Sequence, residues 1–254
     1  MHIRWSLVRF LGLGALVLSA LGCAVSDDAE EPVDSTGDAI EDGEFTFVRP
    51  EIGIMVTSGM SFCTATLVSP NVVLTAAHCV DYRTEDRPGQ KLGFFRVERS
   101  ATVHHDFEDD ATISYGRGAG KDDVALLRLK EAVPPSIARP AKIAEAAPTD
   151  RSNEDVTVFG YGCSNRPGLF GGGGHDDHSQ KKQMMRFEMG PIRKLCPGDS
   201  GGPTVRGTYG DVFRVSSKMY FVEVFGFGRP DAFGDVIRHR EKILDQIAEW
   251  VPEG

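Results

Sequence analysis

The chain of 254 residues reads as an all-β protein with one C-terminal α-helix. Three observations predict this class. Short runs rich in β-branched and aromatic residues recur along the chain. Gly, Pro, Asn or Asp separates most of them. A single segment near the C-terminus places its apolar residues at helical spacing. Hydrophobic residues make up 41% of the chain, enough for a sizeable core and against global disorder. No apolar run reaches the ~18 residues expected of a membrane-crossing helix.

The strand-like runs are 52–56, 64–68, 72–74, 94–97, 124–129, 156–159, 212–215 and 220–227. Many short strands divided by turn residues predict a sandwich or a barrel. Segment 168–174 contains five glycines and reads as a loop. In segment 235–251, Val236, Ile243, Leu244, Ile247, Trp250 and Val251 recur at roughly helical spacing, with Arg, Glu and Lys between them. It predicts an amphipathic helix that starts near Asp235.

The N-terminus reads as a targeting segment over 1–23. Arg4 and Arg9 precede an apolar stretch over 10–21, the length of a signal-peptide core. It ends Ala20-Leu21-Gly22-Cys23, which resembles a bacterial lipobox, with Cys23 as the lipidated residue and a lipid anchor at the membrane. The alternative is an ordinary cleaved signal peptide in which Cys23 is incidental. Residues 24–39 read as an acidic linker or propeptide. Residues 1–23 carry two Arg and no acid, and 24–44 carry nine acids and no Lys or Arg; of the net −9, the remainder therefore holds only −2. Self-repulsion favours an extended tether. No basic patch points to a nucleic-acid partner.

Five cysteines are present: Cys23, Cys63, Cys79, Cys163 and Cys196. With Cys23 lipidated, four remain. An oxidising, extracytoplasmic compartment favours their pairing, and four cysteines allow three connectivities.

A serine hydroxyl needs a base to take its proton, a third group to hold that base, and donors for the oxyanion that forms. Three segments supply these types in constrained contexts: Leu74-Thr75-Ala76-Ala77-His78-Cys79, Asp122-Asp123-Val124-Ala125-Leu126-Leu127, and Cys196-Pro197-Gly198-Asp199-Ser200-Gly201-Gly202-Pro203. Together, in the order His, Asp, Ser, they resemble the signature blocks of the trypsin/chymotrypsin-like serine proteases. The resemblance covers about 40–254. It implies two six-stranded antiparallel β-barrels with a boundary near residue 140, His78 and Asp123 on the first and Ser200 on the second. It implies a serine endopeptidase, a monomer that acts on protein or peptide substrates without a cofactor or metal. Ser200 is then the nucleophile, His78 the general base, Asp123 the orienting carboxylate, and the N–H groups of Gly198 and Ser200 the oxyanion hole. Asp122 is the neighbour most easily confused with Asp123. Only one of the two can face His78, because successive strand side chains point opposite ways.

The resemblance also implies a Cys63–Cys79 bridge. Cys196 has no later cysteine to pair with, which leaves Cys163, beside Gly160-Tyr161-Gly162, as its expected partner. Activation in the family frees an Ile or Val amine that pairs with the Asp before the nucleophile. Asp199 is that residue here, and Ile40, in Ile40-Glu41-Asp42-Gly43, is the expected new terminus. Lys194 falls at the pocket floor and Asp231 on its wall, so that a free Lys194 favours acidic substrates and a Lys194–Asp231 pair gives a neutral pocket. Phe225 and Gly226 align with the edge that binds substrate backbone. Val224, aligned with a family serine, implies a hydroxyl lost near Asp123. A calcium loop would fall near 84–93. His104 and His105 read as a surface loop, and His175-Asp176-Asp177-His178 as a solvated loop rather than a metal cluster. Two other readings use the same residues: a protease-like binding lipoprotein that is weak or inactive in turnover, and an esterase.

Overall fold

The computed structural model describes residues 43–56, 62–80, 93–116, 120–149, 154–162, 181–192, 194–218 and 231–251. The targeting segment, the acidic linker, Ile40, Cys163, the glycine run, the His175–His178 segment, most of the 84–93 segment, and the 220–227 run with Val224, Phe225 and Gly226 lie outside them.

Twelve strands and one helix are described. Strands β2 (Ile52–Val56), β3 (Phe62–Ser69), β4 (Val72–Thr75), β5 (Phe94–Glu98), β6 (His104–Ser114) and β7 (Ala125–Leu129) close into a barrel in the order β2-β3-β4-β7-β6-β5. A second six-stranded sheet runs β1-β9-β8-β10-β11-β12, built from β1 (Glu44–Phe45), β8 (Asp155–Gly160), β9 (Gln183–Glu188), β10 (Pro203–Arg206), β11 (Val212–Lys218) and β12 (Ala232–Asp235). All the pairings between these strands are antiparallel.

The runs Val72-Val73-Leu74 and Val124-Ala125-Leu126-Leu127 lack a polar alternation because both of their faces are buried. Val73, Leu127 and Leu129 fill the barrel with Met55, Phe95 and Val97. Val72, Leu74, Val124 and Leu126 point the other way and pack on Phe159, Val205 and Val215 of the second sheet. The two runs thus each serve two cores, and the seam between the sheets is sealed by apolar contact.

Two expectations change. His104 and His105 do not lie in a loop. They open β6, where His104 pairs Glu98 and His105 pairs Val97. The strand is masked in sequence by its outward row of Asp106, Glu108 and Asp110. Those acids are matched across the strands by Arg96 at 2.7 Å, Lys130 at 2.6 Å and Arg128 at 2.8 Å. The helix α1 spans Arg240–Trp250 and does not begin near Asp235. Asp235 ends β12 opposite Arg214. Its carboxylate accepts the N–H of Arg238 at 3.0 Å, which turns the chain before the helix can start. The apolar spacing is nonetheless helical from Ile243 onward, and Ile243, Ile247 and Trp250 pack on the seam.

A buried cation crosses the same seam. Lys182 precedes β9, is 1% exposed, and donates to the carbonyls of Arg49 at 2.8 Å and Ile52 at 3.1 Å on the other side. Arg49 holds a left-handed φ of 59°. Its guanidinium donates to Glu51 and to the carbonyls of Thr208 at 3.1 Å and Gly210 at 3.0 Å in the β10–β11 turn. Burial pushes the Lys182 ammonium from 10.5 down to about 8, against the opposing pull of Glu51 and Glu98. The folded value lies below the unfolded one, so the cost of burying the charge is full below pH 8 and vanishes above pH 10.5. The stability of the wild type relative to Lys182→Met should therefore rise by up to about 3 kcal/mol from pH 7.5 to 10.5. Urea unfolding at both pH values measures it, and a difference that stays flat sinks the assignment.

Candidate active site

His78 stands on a single 3-10 turn, Ala77–Cys79, that follows β4. The Cys63–Cys79 disulfide, 16 residues apart, ties that turn to the start of β3. A bridge closing a loop of this size stabilises by roughly 2–4 kcal/mol. Asp123 is fully buried just before β7. Its carboxylate meets the turn twice, accepting the backbone N–H of His78 at 2.8 Å and its Nδ1 at 2.7 Å. A carboxylate only accepts, so Nδ1 carries the hydrogen. In the neutral ring that leaves Nε2 as the acceptor, and the His78 side chain is 36% exposed.

Asp122 faces away. It takes Nε2 of His239 at 3.0 Å and Nε of Arg238 at 2.9 Å. Of the two neighbouring acids, Asp123 is the one brought to His78.

Ser200 lies in a loop that the first barrel grips. Thr64 donates its N–H to the Ser200 carbonyl at 2.7 Å and its hydroxyl to the Gly198 carbonyl at 2.8 Å. Gly198 and Gly201 flank the serine with φ of 101° and 81°. A Cβ on Gly201 would fall 2.1 Å from Thr75 Oγ1, so the loop can approach β4 only without a side chain there. Among the described residues neither the Gly198 nor the Ser200 N–H donates to an acceptor. The Ser200 hydroxyl donates to the carbonyl of Ser217 at 3.5 Å and makes no hydrogen bond to His78.

Ser217 joins the two halves. Its carbonyl takes the Ser200 hydroxyl, and its own hydroxyl donates to the Asp123 carboxylate at 2.5 Å. The hydroxyl expected to be lost at Val224 is therefore supplied seven residues earlier, on β11. The sequence offers only a weak signal, the Ser216-Ser217 pair directly after the strand-like 212–215 run.

Asp199 is fully buried and accepts N–H groups from Gly162 at 2.8 Å and Cys196 at 2.7 Å. Burial raises its carboxyl from 3.8 to about 7, with a further push from the charge on Asp231. Among the described residues no cation contacts it. Lys194 and Asp231 come together through backbone, since the Asp231 carboxylate accepts the N–H groups of Lys194 at 2.6 Å and Leu195 at 2.9 Å. Cys196 is disulfide-bonded, but the expected Cys163–Cys196 pairing falls outside the described residues. Cys63, His78 and Cys79 cluster tightly. Both sulfurs are bonded to each other and are not thiolate ligands for a metal. Two cavities, of about 990 and 620 Å³, lie apart from these groups, around Lys142 and Asp211.

Comparison with known proteins is consistent with this layout. The family model described as Trypsin matches residues 37–215. Glucanase inhibitor protein 4 of Phytophthora infestans is 29% identical over 76% of this chain and 80% of its own length. The trypsin of Saccharopolyspora erythraea is 26% identical over 82% of this chain and 94% of its own. Among solved structures, a scabies mite inactivated protease paralogue superposes with a TM-score of 0.65 at 17% identity, over 85% of this chain and 100% of that one. At that identity the likeness is one of fold alone.

The state of Asp199 can be measured. Its folded value of about 7 lies above its unfolded 3.8, so the stability it contributes is full below pH 3.8 and lost as the pH rises through 7. For the chain with its N-terminal extension intact, wild type should lose roughly 4 kcal/mol relative to Asp199→Asn between pH 4 and 8. Parallel unfolding curves for the two proteins over that range would show the opposite if Asp199 were compensated.

Proposed function

We propose that this chain, which belongs to the trypsin family, is a serine endopeptidase that works through an acyl-enzyme, with Ser200 as nucleophile, His78 as base and Asp123 as orienting carboxylate. The observation that carries the reading is the 2.7 Å contact from His78 Nδ1 to Asp123, with Ser217 linking that carboxylate to the Ser200 loop. Asp123 fixes the tautomer that leaves Nε2 free to take a proton. For reaction the Ser200 hydroxyl turns from the Ser217 carbonyl to Nε2, a tightening expected when substrate enters. Oγ attacks the scissile carbonyl, and the oxygen that gains charge is met by the N–H groups of Gly198 and Ser200. His78 then gives its proton to the leaving amine and activates a water that releases the acyl group.

The same reading gives Asp199 a role. A cut between Ala39 and Ile40 frees an amine that neutralises the buried carboxylate and holds the 196–200 loop in its working shape. That no cation contacts Asp199 among the described residues supports it, because burying a carboxylate without a counter-charge is costly. Lys194 and Asp231 set the pocket. The Asp231 carboxylate is occupied by backbone N–H groups, which favours a preference other than for basic residues. Protein or peptide substrates, an extracytoplasmic site of action and tethering through Cys23 complete the proposal.

A second reading, a binding protein without turnover, draws on the Ser200 hydroxyl that bonds Ser217 in place of His78. An inhibitor protein and an inactivated protease paralogue among the similar proteins accompany it. A fluorophosphonate probe separates the two. Protein beginning at Ile40 should label, cleave peptides and lose both in Ser200→Ala, and Asp123→Asn should lower kcat by about 10⁴. Protein that begins at Ile40 yet never labels rejects turnover, and active protein whose first residue is not Ile40 rejects the activation site. Ester turnover without peptide cleavage points to an esterase.

A further inference from the structure

Asp122 and Asp123 are neighbours, and each carboxylate holds a different histidine. Asp123 takes Nδ1 of His78 at 2.7 Å; Asp122 takes Nε2 of His239 at 3.0 Å. We propose that the Asp122–His239 bond positions Asp123, and through it His78, by fixing the chain that carries the carboxylate to the turn before α1. The inference rests on the serine protease reading above.

Segment 120–123 is irregular chain, yet it is held from two sides. On the β11 side, the Gly120 N–H donates to Ser217 Oγ at 3.0 Å, the same oxygen that donates to the Asp123 carboxylate. On the β12 side, the Lys121 carbonyl accepts the N–H of Asp235 at 2.9 Å. Gly234 lies so near that a Cβ there would fall 2.3 Å from the Asp123 carbonyl oxygen. The Asp122 carboxylate closes the grip on Arg238 and His239.

The two partners of Asp122 differ in rigidity. Arg238 and Asp122 have side chains 57% and 51% exposed, and an ion pair so open to water contributes little. His239 is buried and its ring stacks on Tyr115 with centroids 5.5 Å apart. Tyr115 in turn donates its N–H to the Val124 carbonyl at 2.9 Å and its hydroxyl to the Lys242 carbonyl at 3.2 Å. The histidine is thus fixed by packing before it reaches Asp122, and the carboxylate is located by it. Such a link acts on alignment. Reacting groups misplaced by about 1 Å can cost 10²-fold in rate while substrate binding is unaffected.

The test uses the protein beginning at Ile40. His239→Phe keeps a ring against Tyr115 and removes the N–H; His239→Gln restores a donor at similar reach. In His239→Phe, kcat should fall roughly 10-fold to 100-fold with KM changed by less than about 2-fold, and His239→Gln should recover most of the loss. The His78 Nδ1 proton, followed by NMR, should broaden or shift in His239→Phe and return in His239→Gln. If His239→Phe does not fold, Asp122→Ala removes the acceptor and leaves the ring pair in place, with the same results expected. Unchanged kcat and an unchanged proton signal, with only a lower unfolding midpoint, overturn the proposal. If the wild type does not label with fluorophosphonate, the protease reading fails by itself. The proton signal then decides this one, a signal unaffected by the substitutions overturning it and a lost signal supporting it.

Discussion

The carboxylate of Asp123 has no exposure to water, and the geometry around it depends on keeping it charged there. A buried charge survives only with donors aimed at it. Here they come from two places: the backbone and ring of His78 on the turn after β4, and the hydroxyl of Ser217 on β11 of the second sheet. To satisfy one anion, the two sheets must hold a fixed relation. The apolar seam of Val72, Leu74, Val124 and Leu126 against Phe159, Val205 and Val215 provides the adhesion. The anion sets the register that nondirectional packing would leave loose.

Much of this was legible in the chain because it is local. The segments around His78, Asp123 and Ser200 each specify a tight turn or a buried strand within a few residues. The strands at 52–56, 94–97 and 156–159 announced themselves by β-branched and aromatic content. The misreadings arise where the deciding partner is distant. His104 and His105 read as a surface loop because the acids that follow them on β6 are balanced by Arg96, Arg128 and Lys130, which no local window includes. The apolar spacing alone places the start of α1 too early, because Asp235 belongs to a ladder with Arg214. The Ser216-Ser217 pair near a strand end is a weak signal until the Ser217 hydroxyl is seen to reach Asp123, 94 residues away.

The second sheet has its own electrostatic character. Where Asp123 is satisfied, Asp199 is left with two N–H donors and the repulsion of Asp231 nearby. Lys182 is the mirror case, a cation kept dry by two carbonyls. Asp199 and Lys182 are thus buried groups of opposite sign, each held by backbone hydrogen bonds. This arrangement makes the stability of the molecule strongly dependent on proton concentration on both sides of neutrality.

One feature of the topology bears on how the molecule is made. Strands β2 to β7 are contiguous in sequence and close the first barrel among themselves. β1 precedes them all, yet it pairs with β9, as Glu44 opposite Met184 and Phe45 opposite Gln183. A chain emerging from the ribosome can complete the barrel while its own first strand is still waiting for a partner not yet synthesised. That ladder cannot form until β9 has been made, and such long-range pairing is slow. β1 therefore finds its partner only after all the strands of the barrel it borders have been made.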